Sequence, residues 1–154
     1  MIRTAPLEQA ELAIIGAGCA GLSLARQLVR TEKTSSIKAC LYGPVSPAAT
    51  NRHSWGFWAT QGLKEQTELA RQRWHKWQII TAERKVTQTA DSHPYCRLDS
   101  RDWLTHCLNI IDGNIQREPH SLPTPGAQPV VDSRPPNVPD GAMLQHFKGV
   151  EIKA

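Results

Sequence analysis

The stretch Gly16-Ala17-Gly18-Cys19-Ala20-Gly21 is a GxGxxG motif. Each of its glycines has a separate steric reason to be there. Gly16 permits a tight turn out of a strand, Gly18 lets backbone approach a pyrophosphate, and Gly21 lets a helix pack close to that strand. The helix start offers free N–H groups and the positive end of its dipole to phosphates. The chemistry implied is capture of an adenine dinucleotide by its pyrophosphate, with Gly16, Ala17, Gly18, Cys19, Ala20 and Gly21 as the contact residues. One ordinary part is missing. A carboxylate usually ends the following strand and binds the adenosine ribose. Here Leu41-Tyr42-Gly43 stands in that place, and no Asp or Glu occurs between Glu32 and Glu65. Losing such a charge-assisted hydrogen bond costs on the order of 1.5–3 kcal/mol.

Other reactive side chains form no recognisable set. Cys19, Cys40, Cys96 and Cys107 make no CxxC pair and no zinc spacing, so free thiols in a reducing compartment are expected. The histidines His53, His93, His106, His120 and His146 are scattered, and no metal is expected. His106 and Cys107 are neighbours on a helix, point apart and read as structural. Two aromatic groups stand out. Trp55, Phe57 and Trp58 could line an apolar pocket and stabilise a cation through their faces, or could be core packing. Trp74 and Trp77, flanked by Arg71, Arg73, His75 and Lys76, form a basic–aromatic patch suited to a membrane surface, or a helix end with two half-buried tryptophans.

The elements that must position these residues follow from the apolar pattern. Glu11–Ile15 reads as a buried parallel strand, Cys19–Arg30 as an amphipathic helix and Ile37–Tyr42 as a second strand. Together they make a βαβ unit. Residues 44–62 read as a loop and Leu63–Trp74 as a helix. Trp77–Thr81 and Lys85–Thr89 read as strands around a polar turn, and Tyr95–Leu98 as a short strand. Asp99 or Ser100 caps a helix running to Ile111, which Asp112-Gly113-Asn114 ends. Prolines then crowd residues 119–136, around an apolar island at Val130-Val131. The fold class expected is α/β, a Rossmann-type FAD-binding βαβ with an incomplete mixed sheet. Residues 1–118 would form the cofactor-binding region, and residues 119–154 a proline-rich segment with a short remnant of a further domain.

The 154 residues suffice for one domain. Apolar content of 40% and charged content of 21% read as globular rather than disordered. The net charge of +4 is uneven: residues 1–90 hold 12 Lys and Arg against 6 Asp and Glu, residues 91–154 hold 6 against 8. That balance suits anionic partners, cofactor phosphates or lipid headgroups, and equally a solvated surface. No nucleic-acid motif is present. No leader and no apolar run of about 18 residues is found, so a cytoplasmic chain is expected, peripheral to the inner membrane at most.

The block Arg52-His53-Ser54-Trp55-Gly56-Phe57-Trp58 resembles the lycopene cyclases of carotenoid synthesis. Two later stretches add to the likeness. Val131-Asp132-Ser133-Arg134-Pro135-Pro136 is similar to the family's Asp-x-Arg strand end. Gln145-His146-Phe147-Lys148-Gly149 is similar to its Gln-x-Phe-x-Gly motif. The resemblance implies a flavoprotein that holds FAD in reduced form, with NAD(P)H as reductant, and closes the linear ends of lycopene to ionone rings without net redox change. It places Arg52 near the flavin side of the cofactor and Trp55, Phe57 and Trp58 around the polyene; Arg101 is a further cofactor candidate by its position at the start of the helix alone. The family's acidic Phe-Leu-Glu-Glu-Thr-like motif has no counterpart, so the catalytic acid is not visible and a truncated or degenerate member is expected. Open sheet edges would then invite self-association. A non-catalytic nucleotide-binding remnant and a flavin-dependent hydroxylase or reductase are the alternatives.

Overall fold

The computed structural model of the chain describes residues 10–44, 53–135 and 141. Leu12–Ile15 forms β1, buried from Ala13 onward. The chain turns at Gly16, whose φ of +101° suits a residue without Cβ. It then enters α1, Cys19–Arg30, whose Leu22 and Ala25 face the core. β2, Ala39–Tyr42, returns parallel to β1, in register from Leu12↔Ala39 to Ile15↔Tyr42. The expected βαβ unit is therefore present.

The next elements are β3, Ser54–Trp58, a 3-10 turn at Gln61–Leu63, and α2, Lys64–Leu69. β4, Gln72–Trp74, and the hairpin of β5, Lys76–Ile80, with β6, Lys85–Thr89, follow. β7, Tyr95–Asp99, leads into α3, Ser100–Ile111. The chain ends its described structure with β8, Gln116–Glu118, and β9, Val130–Asp132.

Two expectations are corrected and one further strand is present. The helix expected over Leu63–Trp74 stops at Leu69. Ala70 is extended, and the Arg71 N–H donates to the Arg97 carbonyl at 2.9 Å, so β7 captures the chain as β4 instead. The loop expected over 44–62 contains β3, which pairs antiparallel with β7. A strand also forms at Gln116–Glu118, where every residue is polar; pairing with β2, not an apolar face, creates it.

The main sheet runs β8-β2-β1-β9, and all three of its pairings are parallel. Among the described residues, antiparallel pairing is confined to two other sheets, β3-β7-β4 and β5-β6. The mixture is thus between sheets rather than within one. Ile14, Ala39 and Leu41 point to the helix-covered face, where they meet Leu22 and Ala25 of α1 and Trp103, Leu104, Cys107 and Ile111 of α3. Asp99 caps α3, accepting from the Arg101 N–H at 3.1 Å. α1 leaves β1 and α3 feeds β8, so both helices run against the strands. Both N-termini therefore lie at the carboxyl edge of the sheet, where open α/β sheets place their ligands.

Candidate dinucleotide site

At that edge the three glycines divide the work as their spacing implies. A Cβ on Gly16 would stand 2.6 Å from the Ser133 Oγ, and one on Gly21 would collide with the Gly16 carbonyl oxygen. Gly21 is where helix meets turn. Gly18 differs, because nothing lies within 4 Å of the place its Cβ would occupy. It is the helix N-cap, and no side chain caps it. The first turn of α1 carries no acid. Cys19, exposed as a residue, has its thiol pushed up in pKa by burial of the sulfur, which outweighs a hydrogen bond with Ser23, so it presents no anion. Open space at Gly18, uncapped N–H groups and no negative charge fit a pyrophosphate.

Two contacts that the sequence did not announce hold the turn. The Ser133 hydroxyl lies 2.8 Å from the Ile15 carbonyl and 3.0 Å from that of Gly16, and the Ser133 N–H donates to Ile15 at 2.8 Å. Gly43, at φ +117°, packs on the other side, where a Cβ would stand 3.5 Å from the Ala17 nitrogen. The Gly16 N–H donates to the Tyr42 carbonyl at 2.8 Å, and the Gly43 N–H to that of Glu118 at 3.1 Å. Beyond Ser133, Arg134 grips Asp132 through Nε at 2.9 Å and Nη2 at 2.6 Å. Hydrogen bonds from the Arg134 side chain and backbone hold the Asp132 carboxyl down, to about 2. The stem of Arg134 lies over the turn, its Cγ 3.3 Å from the Cβ position of Gly16.

The remaining expected residues are dispersed. Arg101 is exposed in the first turn of α3, at the same edge of the fold. Arg52 lies outside the described residues, as do Pro136 and the Gln145–Gly149 stretch. Trp55, Phe57 and Trp58 do not line one pocket. Alternation along β3 turns Trp55 and Phe57 toward the core and sends Trp58 outward, 43% exposed. Trp58 instead meets Trp77, ring centroids 5.4 Å apart, and Tyr95 at 4.9 Å. Trp74, also exposed, joins this cluster through Tyr95 at 6.1 Å. Trp74 and Trp77 thus sit on strands, not at a helix end.

A second feature, absent from the sequence reading, is a clasp on Glu65 of α2. Arg26 and Arg30 of α1 and His106 of α3 converge on its carboxylate, Arg30 at 2.7 Å and His106 at 2.9 Å. Arg26 also lies over the Trp103 ring, 5.2 Å from its centroid. An open groove of about 680 Å³ runs between α1 and α2 beside these groups. It lies along the later turns of α1, away from the glycine turn.

Fold and turn together define a Rossmann-type α/β domain with a glycine-shaped turn at the carboxyl edge of its parallel sheet. Residues 11–113 match the family described as lycopene cyclase protein. The chain belongs to that family. No curated protein matches it. Among solved structures it is similar in fold to P. aeruginosa PqsL in complex with 2-aminobenzoylacetate, at TM-score 0.54 and 16% identity, covering 71% of this chain and 33% of that one. A mutant of PqsL gives TM-score 0.54 at 14% identity, covering 70% and 32%. The tetrameric form of 2-methyl-3-hydroxypyridine-5-carboxylic acid oxygenase gives TM-score 0.50 at 14% identity, covering 71% and 32%. The chain spans about a third of the length of these structures. Among the described residues no helix is long and apolar enough to cross a membrane.

Proposed function

We propose that the chain binds FAD and serves the cyclisation of linear polyene ends, as membership of the lycopene cyclase family suggests. The observation that carries the cofactor part is the contrast within the turn. Gly16 and Gly21 are closed in by protein, while Gly18 faces open space at the uncapped start of α1. Gly16 to Gly21 would hold the pyrophosphate, and Arg134 would add a cation beside it. Arg52 and Arg101 are the further candidates on the flavin side. When bound in reduced form, with NAD(P)H as the source of electrons, FAD would supply an electron-rich surface against a cationic polyene end. Trp55 and Phe57, on the inward side of β3, would add aromatic faces.

Lycopene is lipid-soluble, so peripheral membrane contact belongs to this reading. The exposed Trp58 and Trp74 and the half-buried Trp77, with the basic residues around them, are the surface for it. The test is to incubate the full chain with FAD, a reductant and lycopene in vesicles, then separate the carotenoids. Ring closure is an isomerisation, so a product of unchanged mass and shortened conjugation supports the reading. A chain that binds FAD yet leaves lycopene unchanged contradicts it. That outcome would favour a nucleotide-binding module without catalysis, a reading that Tyr42, in the place of the usual ribose-binding carboxylate, also favours.

A further inference from the structure

We infer that Glu118 performs the task of the carboxylate missing from the second strand, accepting hydrogen bonds from the ribose hydroxyls of the adenosine half. This rests on the dinucleotide reading above. The main sheet has four strand ends at its carboxyl edge: Ile15 on β1, Tyr42 on β2, Glu118 on β8 and Asp132 on β9. Only two carry a carboxylate. Asp132 stands beyond β1, on the side away from β2, and it already accepts four contacts from Arg134, two on each oxygen. Glu118 stands on the adenosine side, directly beside Tyr42 in register.

Parallel neighbours in register share a face of the sheet, so the Glu118 side chain lies on the same side as that of Tyr42. The charge on Glu118 contributes to the raised pKa of Tyr42, after burial and the interaction with Cys40. The step from one strand to the next is about 4.8 Å, and glutamate reaches one methylene further than the aspartate often found on β2. The backbone of Glu118 is also tied into the cradle, since its carbonyl accepts the Gly43 N–H at 3.1 Å and Gly43 packs on Ala17. The carboxylate accepts from Gln116 Nε2 at 3.1 Å and Ser121 Oγ at 3.1 Å. A carboxylate has about four acceptor positions, so two remain for a ribose diol. Sequence spacing misses this residue because it lies far along the chain from the glycine motif and reaches β2 only through the sheet.

The experiment is calorimetric titration of the full chain with FAD and, separately, with ADP, which carries only the adenosine half. Glu118→Gln is expected to weaken both by about tenfold or more, the loss of a charge-assisted hydrogen bond, with an unchanged melting temperature. Adding Tyr42→Glu to Glu118→Gln, which returns the carboxylate to its ordinary strand, is expected to recover affinity for both. Equal affinities in wild type and Glu118→Gln overturn the role of Glu118 alone. A loss for FAD without a loss for ADP also overturns it, because the effect would then lie on the flavin half. Wild type that binds neither ligand overturns the dinucleotide reading itself, and this inference with it.

Discussion

Gly18 and Gly21 lie in one motif, yet the structure gives them opposite consequences. A side chain at Gly18 meets nothing in the protein, whereas one at Gly21 meets the Gly16 carbonyl and stands 2.9 Å from Ser133 Oγ. Gly18→Val is therefore expected to leave the melting temperature nearly unchanged while removing FAD binding, because the branched side chain fills the approach to the pyrophosphate. Gly21→Ala is expected to destabilise the fold by about 1–3 kcal/mol, since backbone must move to admit a Cβ. Paired thermal melts and FAD titrations of the two variants check this. Equal effects on stability would contradict it. Both glycines were legible in sequence because strand, turn and helix are adjacent along the chain. Ser133, which fastens the same turn from more than a hundred residues away, carries no local signal.

At the scale of elements, α2 is joined to α1 and α3 through one carboxylate. Burial pushes Glu65 up in pKa, but hydrogen bonds from His106 and Arg26 and the charges of Arg26 and Arg30 outweigh it and hold Glu65 below its ordinary value. A depressed carboxylate contributes stability that is present above its unfolded pKa of about 4.3 and lost as pH falls below it. Glu65→Gln leaves Arg26, which is 8% exposed, without its counter-charge. It is expected to cost about 1–3 kcal/mol near neutral pH. The gap between variant and wild type should close as melts are repeated below about pH 4. A gap independent of pH would contradict the clasp. The helices themselves were readable: α1 runs over Cys19–Arg30 as its spacing implies, and Asp99 caps α3. What failed were the segments whose state is decided by a partner strand. β4 was read as helix because Leu63–Trp74 has helical apolar spacing, β3 was taken for loop, and β8 has no apolar residue at all.

The whole molecule is closed by contacts that cross most of its length. β9 pairs with β1 in register Ala13↔Val130, Ile14↔Val131 and Ile15↔Asp132, so the proline-rich segment returns the chain to the strand on which it began. The βαβ unit, the sheet edge and Ser133 therefore form one site only when the whole fold is assembled. Among the described residues β8 and β9 are the outer strands of the main sheet, each three residues long. The aromatic cluster of Trp58, Trp74, Trp77 and Tyr95 lies beside a hairpin whose Ile79 and Ile80 are exposed. This assembled edge is the proposed cofactor site. It is tested most directly by titrating the full chain with FAD while following flavin fluorescence and the melting temperature. Saturable binding with a melting temperature that rises with FAD concentration is the predicted result. A folded chain whose melting temperature and flavin signal are unmoved by FAD would contradict it.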